Sequence, residues 1–175
     1  MNEILIDVTR LIGESGVRET VIQLLRTVPG LPPIVQTFHI LGIACVMGTM
    51  VMINLRILGL AVPSQNVSEM IGRLMPWTAW SLLVSLASGM VFVIVRPGKY
   101  FFNPLFGLKF AFLLSAVGLG LAVYLYSRKE VGYWEATAGR RSVVRVYALV
   151  SLVLWVGVVL AGRWIAYVDY IFVPQ

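Results

Sequence analysis

Three side chains that carry or can carry a positive charge lie inside apolar stretches of this sequence. His39, Lys109 and Arg163 each lie about four or five residues from one end of such a stretch, which is roughly 6–8 Å along a helix. Charged groups are costly in apolar surroundings, and there they often mark a functional site. If the stretches are antiparallel helices, all three side chains lie at one depth, which the second stretch reaches near residues 88–90.

One chemistry that fits this group is the binding of haem b. His39 would ligate the iron, and Lys109 and Arg163 would pair with the haem propionates. His39 is the only histidine in the chain, so a monomer cannot supply two histidine ligands. The second axial ligand would be Met90, at the same depth in the second stretch, or a residue of a second copy, or that position would stay open.

Two other interpretations of the same group remain open. In one, the layer binds a quinone or another small anionic molecule, because like charges at one depth need an anion, water or a carboxylate such as Asp169 between them. In the other, Lys109 and Arg163 extend their charged ends toward the membrane surface, and His39 hydrogen-bonds a neighbouring helix.

Copper binding is a further alternative, with His39 as a metal ligand. Soft sulfur ligands suit Cu(I), and sulfur-containing residues follow His39 in the first stretch, at Cys45, Met47, Met50 and Met52. At about 100° per residue, only Met50 of these shares a helix face with His39. Methionine is also a common filler of apolar cores, so the same residues equally predict ordinary packing.

The elements that must position these residues are four apolar stretches, at about 34–60, 77–95, 105–126 and 143–167. Each is close to or above the ~20 residues that an α-helix needs to cross a bilayer. Charged residues make up 13% of the chain, whereas soluble domains contain about 25%. The mean hydropathy is +0.87. We therefore predict an all-α fold, an integral membrane four-helix bundle over residues 31–175.

The segments outside the four stretches are shorter and more polar. Residues 1–30 form an amphipathic leader that we expect to be one or two helices lying in the membrane surface; the alternative is a targeting or partner-binding helix. Asn66 and Glu69 predict a short helix before the second stretch, ending near Pro76. Pro97 predicts a turn between the second and third stretches.

Several further side chains have a structural interpretation. Asn54, at the far end of the first stretch, is expected to join helices through a hydrogen bond, and Arg56 is expected to extend to the membrane surface. Tryptophans favour membrane interfaces, and we assign four of them there, with Trp155 in the core. The four are Trp77, Trp80, Trp134 and Trp164.

The distribution of Lys and Arg predicts the orientation of the chain. Seven of them cluster around the first and third connections between stretches, at Arg56, Arg73, Arg128, Lys129, Arg140, Arg141 and Arg145, against five near the opposite ends of the stretches, at Arg10, Arg18, Arg26, Arg96 and Lys99. By the positive-inside rule this places those connections in the cytoplasm and both termini in the periplasm. The net charge of +6 then reflects orientation and contact with anionic headgroups, and we expect no nucleic-acid partner.

The chain resembles a family of uncharacterised bacterial inner-membrane proteins with four transmembrane helices. The resemblance extends from the leader to the fourth stretch and is carried by FHILG at 38–42 with Gly48, NLRILG at 54–59, NPLFGLK at 103–109, and SLVLW at 151–155 with GRWIAY at 162–167. In that family the position of Asn54 is usually an aspartate, so Asn54 lacks a charge that would pair with Arg56. The resemblance implies the fold and the bacterial inner membrane, and it implies no reaction.

These observations favour a protein without catalytic residues. The sequence has no phosphate-binding glycine loop and no His/Glu zinc spacing, and no acidic residue lies deep in any stretch. We expect a membrane anchor or interaction subunit that contacts lipid and forms a homo-oligomer or part of a larger membrane complex. The alternative is a redox or ligand-binding module that holds haem b or quinone at His39, Lys109 and Arg163.

Overall fold

The computed structural model describes residues 2–130 and 132–167. These residues form helices and no strands: α1 (Asn2–Gly13), α2 (Gly16–Thr27), α3 (Leu31–Leu58), α4 (Val67–Val95), α5 (Pro97–Phe101), α6 (Pro104–Lys129) and α7 (Ala138–Trp164). Four of them, α3, α4, α6 and α7, are long and apolar enough to cross a membrane. The predicted all-α fold with four span-length helices is therefore confirmed.

The four long helices form a bundle in which each packs against two neighbours. α3 contacts α4 and α7, and α6 also contacts α4 and α7. Because the connections are short, consecutive long helices run in opposite directions. The core between them contains Val46 and Met50 of α3, Ile71 of α4, Ala116 of α6 and Trp155 of α7.

The bundle has two chemically different ends. At one end α3 and α6 begin and α4 and α7 finish; it contains His39, and we call it the histidine end. The opposite end contains Arg56, Arg141 and Arg145, and we call it the arginine end. The leader lies at the histidine end, where α1 packs against α5 and α2 packs against α4.

The second span is a single helix that starts ten residues earlier than expected. α4 runs from Val67 through Pro76 to Val95, whereas the sequence predicted a break near Pro76. Proline removes one backbone hydrogen bond from a helix. Buried residues on both sides of it, including Ile71 and Thr78, hold the two halves of α4 in the bundle, so packing preserves the helix.

The leader forms two helices, and the second connection contains a short helix where a turn was expected. Ser15 separates α1 from α2, and its hydroxyl oxygen accepts a hydrogen bond from the Arg18 backbone N–H at 3.2 Å. In the second connection, expected as a turn, Pro97 occupies the first position of α5, where its missing N–H has no cost. The prediction that the leader is helical is confirmed.

α3 and α4 approach each other closely at Gly42. A Cβ atom at this position would overlap the side chain of Ser85 and lie 3.0 Å from the Ser81 carbonyl oxygen. Further along the same contact, the Thr78 hydroxyl donates a hydrogen bond to the Thr49 hydroxyl at 2.7 Å. Small and hydroxylated residues let membrane helices pack backbone against backbone, and this contact positions His39.

The tryptophans divide between the core and the outer surface. Trp155 is buried, as predicted, and Trp77, Trp80 and Trp164 are exposed. Trp134 is only 4% exposed and packs against the chain itself at the arginine end. Its indole N–H donates a hydrogen bond to the Ser127 hydroxyl at 2.8 Å, so this tryptophan closes the arginine end of the core.

Candidate functional site

His39 of α3 packs against one stripe of α4. Its Nδ1 lies 2.9 Å from the Ser85 carbonyl oxygen and 3.0 Å from the Ser88 hydroxyl oxygen. The imidazole meets the edge of the Phe92 ring at a centroid distance of 5.7 Å. Residues 85, 88 and 92 recur at helical spacing along one face of α4, so a single helix face holds the half-buried imidazole.

These contacts determine which nitrogen of neutral His39 carries the proton. A carbonyl oxygen can only accept, so Nδ1 must donate to Ser85. The Ser88 hydroxyl donates its own proton to the Val84 carbonyl oxygen at 2.7 Å, and it is therefore an acceptor toward Nδ1 as well. With Nδ1 protonated, Nε2 of the neutral imidazole carries a lone pair.

Gly89 gives the imidazole the space that it occupies. A Cβ atom at position 89 would lie 3.1 Å from Cε1 of His39, closer than ordinary van der Waals contact. The sequence placed residues 88–90 at the depth of His39, and the structure brings two of these three, Ser88 and Gly89, into contact with it.

Lys109 is the second polar residue at this level. Its aliphatic chain lies along α7, where a Cβ atom at Gly162 would be 3.5 Å from the lysine Cε. Within residues 2–130 and 132–167, the Lys109 ammonium group forms no hydrogen bond or ion pair. Both residues thus lie toward the histidine end, His39 against α4 and Lys109 against α7.

Arg163 and Met90, two of the predicted site residues, do not contact His39. The Arg163 guanidinium donates a hydrogen bond to the Tyr167 hydroxyl at 2.8 Å and stacks on the same ring, on the exposed end of α7. Met90 is 50% exposed and projects roughly 150° away from the α4 face that holds His39. Asp169, the carboxylate expected near these cations, lies outside the described residues.

Asn54 joins α3 to α7 in the interior. It is 2% exposed, and its side-chain amide donates a hydrogen bond to the Ser151 hydroxyl at 3.1 Å. The two residues line a small pocket of about 20 Å³, which has room for one water molecule. The expected interhelical role of Asn54 therefore has a specific partner.

Arg56 belongs to a different set of contacts at the arginine end. Its Nε donates to the Gln65 carbonyl oxygen at 2.5 Å, and its Nη2 lies 3.7 Å from Glu135 Oε1. The same carboxylate oxygen accepts a hydrogen bond from the Val67 backbone N–H at 3.3 Å. Asn54 has no carboxylate and does not share a helix face with Arg56, and Glu135 provides the carboxylate for Arg56.

The sulfur-containing residues of α3 do not share one environment. Met50 is buried in the core and Met52 is 39% exposed. Among the described residues, no three His, Cys, Asp or Glu side chains come together as a metal site.

The family model of a family of unknown function, DUF6644, matches residues 26–168. The chain belongs to the DUF6644 family. The matched segment includes all four span-length helices and every polar contact described in this subsection. It begins at the end of α2.

Two other comparisons give no relative for this DUF6644 protein. No curated protein matches the chain. No solved structure matches it either.

Sequence reasoning missed several residues that complete these sites in the DUF6644 chain. Ser85 and Ser151 are single hydroxyl groups in apolar helices, and serine is too common there to indicate a partner. Glu135 lies in a connection between two spans, without a periodic pattern around it. One signal was available, because the few carboxylates among the many arginines of this end, Glu135 and Glu130 in the third connection among them, are the expected partners for some of those arginines.

Proposed function

We propose that this DUF6644 protein is a non-catalytic membrane anchor or interaction subunit of the bacterial cytoplasmic membrane. One observation carries the proposal: polar side chains inside the spans bind neighbouring helices of the same bundle. His39 binds α4, Thr49 binds Thr78, and Asn54 binds Ser151. Polar groups used in this way stabilise a scaffold.

The outer surface of the bundle supports a role in contact with lipid and other membrane proteins. In both α4 and α6, only 17% of the most apolar segment is buried inside the chain. Large exposed side chains cover these helices, including Trp80, Leu83 and Leu114. A homo-oligomer or a larger complex would cover part of this surface, and lipid would cover the rest. We further propose that the arginine end is cytoplasmic and that both termini are periplasmic.

A second candidate function rests on the lone pair of His39 Nε2. In metal-binding and ligand-binding histidines, one ring nitrogen commonly donates to a carbonyl while the other faces the ligand. His39 Nδ1 donates to the Ser85 carbonyl oxygen in this way, and this candidate has Nε2 and the Lys109 ammonium group facing a shared ligand. A quinol hydroxyl could donate to Nε2, and a quinone oxygen could accept from Lys109. A haem at His39 would need a second ligand other than Met90, because Met90 projects away from His39.

The first experiment separates the two candidates by the content of the purified protein. The wild type is extracted gently from haem-replete membranes, its oxidised and dithionite-reduced absorption spectra are recorded, and extracted quinone is quantified. His39→Ala and Lys109→Met are compared with Gln36→Ala, an exposed position one helical turn before His39. A scaffold has no Soret band and no stoichiometric quinone. A Soret band or bound quinone that disappears in both site variants, and persists in Gln36→Ala, would replace the scaffold proposal with the ligand-binding one.

The second experiment tests assembly directly. Native mass spectrometry of gently extracted protein measures whether the 19.4 kDa chain is a monomer, a homo-oligomer or part of a larger complex. The proposal expects a defined oligomer or a complex of fixed composition. A monomer in every mild detergent and in nanodiscs would contradict an interaction role.

A further inference from the structure

The arginine end contains a cavity that the scaffold role does not require. Its free volume is about 80 Å³, several times the roughly 10–15 Å³ of such volume that one water molecule needs. The cavity lies between the end of α3, the start of α4 and the start of α7. Its lining combines an apolar part, including Ile57, Val67 and Val144, with charged side chains from several segments.

Three guanidinium groups line this cavity, with one carboxylate among them. Arg56 is partly neutralised by Glu135 and is tied to the Gln65 carbonyl oxygen. Arg141 and Arg145, one turn apart on α7, line the same cavity. Within the described residues, neither side chain forms an ion pair or a hydrogen bond. The charged lining therefore has three positive groups and one negative group.

The other cations at this end differ from Arg141 and Arg145, because each has a partner of its own. Arg73 forms an ion pair with Glu69 at 2.7 Å. The three remaining cations lie on aromatic rings: Arg128 on Tyr124, Lys129 on Tyr126 and Arg140 on Tyr133. Among the described residues of this end, Arg141 and Arg145 are thus the cations without a partner, and both line the cavity.

The wall of the cavity is firmly held. Trp134 lines it and is fixed by its hydrogen bond to Ser127. Glu135 is held by both Arg56 and the backbone N–H of Val67. Arg141 and Arg145 are themselves exposed, but they flank side chains that are fixed in place, and a charge needed only for membrane orientation would not require such fixed neighbours.

We infer that this cavity binds a phosphate group, with Arg141 and Arg145 as its principal ligands and Arg56 behind them. Guanidinium groups bind phosphate oxygens through paired, charge-assisted hydrogen bonds. Such a phosphate can belong to the headgroup of an anionic phospholipid in the adjacent leaflet, or to a free phosphate compound. Glu135 limits the net charge of the site and orients Arg56.

The test compares matched charge changes in nanodiscs. Arg141→Gln/Arg145→Gln removes two charges from the cavity, and Arg73→Gln/Arg128→Gln removes two from the same end outside it. After delipidation, native mass spectrometry measures retained phosphatidylglycerol against phosphatidylcholine. A parallel thermal-shift series uses inorganic phosphate against chloride at equal ionic strength.

A lipid site is supported if phosphatidylglycerol retention falls at least about tenfold in the cavity variant and stays within twofold in the control. A free-phosphate site is supported if phosphate raises the Tm of the wild type and of the control variant but leaves the Tm of the cavity variant unchanged. Equal losses in both double variants would overturn the inference, since they indicate a general charge effect. No retention and no phosphate response in the wild type would also overturn it.

A single substitution provides a second test if the cavity variant folds poorly. Glu135→Gln keeps an oxygen that can accept from Val67 but removes the negative charge. The inference expects anion retention to increase several-fold in Glu135→Gln. Unchanged or weaker retention would contradict it.

Discussion

The Nδ1 atom of His39 lies 2.9 Å from the carbonyl oxygen of Ser85 on the neighbouring helix. Because a carbonyl only accepts, this contact assigns the imidazole proton and leaves Nε2 with a lone pair. The contact between His39 and Ser85 is therefore compatible with two different roles for the only histidine of the chain. It joins α3 to α4, and it presents a nitrogen that can accept a hydrogen bond or a ligand.

His39→Ala should destabilise the bundle by about 1–3 kcal/mol. The substitution removes an interhelical hydrogen bond and the edge contact with Phe92. Unfolding in mixed micelles, followed by tryptophan fluorescence, measures the loss. Gln36→Ala, on the exposed face, should stay within about 0.5 kcal/mol, and an equal effect of the two substitutions would show that the His39 contact adds no stability.

Gly42→Ala and Gly48→Ala should have opposite effects on the same helix. At Gly42 the added methyl group meets Ser85 and the Ser81 backbone, so α3 and α4 must separate, at a cost of about 1–3 kcal/mol. At Gly48 no atom lies within 4 Å of the new methyl group, and the higher helix propensity of alanine should add about 0.5–1 kcal/mol. Thermal unfolding of the two variants checks the sign of each change, and a neutral Gly42→Ala would refute the close approach.

The Asn54–Ser151 contact should show measurable coupling in a double-mutant cycle. Replacing both residues by alanine, singly and together, should give a coupling energy of about 0.6–1.7 kcal/mol, as for other interhelical hydrogen bonds in membranes. A control cycle pairs Asn54 with Ser142, which is exposed at the start of α7, and its coupling should be near zero. Equal coupling in the two cycles would mean that the hydrogen bond is absent in solution.

The contribution of two ion pairs at the arginine end to stability should follow their burial and not the distance between their charged atoms. The Arg73–Glu69 pair is the shorter at 2.7 Å, but its side chains are 66% and 46% exposed. The Arg56–Glu135 pair is longer at 3.7 Å, with side chains 15% and 34% exposed.

Solvent screens the exposed pair, so Arg73→Ala should cost less than about 0.5 kcal/mol. Arg56→Ala should cost about 1–3 kcal/mol, because it also leaves Glu135 and the Gln65 carbonyl with fewer partners. Thermal unfolding of the two variants in nanodiscs compares them. The reverse order would show that the Arg56 contacts do not stabilise the folded state.

The proposed orientation can be checked by labelling single cysteines in a Cys45→Ser background. Ser64→Cys and Ala136→Cys lie at the arginine end, and Phe102→Cys lies at the histidine end. In intact cells whose outer membrane is permeabilised, an impermeant maleimide should label only Phe102→Cys. All three should react once the inner membrane is lysed, and labelling of Ser64→Cys in intact cells would reverse the proposed orientation.

The sequence alone determined the class of the protein and the depth of its polar residues. Four apolar stretches of sufficient length predict four spans, because a bilayer requires about 20 apolar residues per helix. Counting residues along antiparallel helices also placed His39 level with residues 88–90, because helical rise is nearly constant. These predictions depend only on local composition and regular geometry.

The tertiary structure decided which polar residues meet. Arg163 lies at the expected end but binds Tyr167, and Arg56 finds Glu135 beyond two intervening spans. α4 continues through Pro76 because residues on both sides of the proline pack into the bundle. Rotation of each helix about its axis, and the path of each connection, depend on packing against neighbouring helices. The depth of a residue can therefore be counted from the sequence, whereas the direction in which its side chain points is set by how the helices pack together.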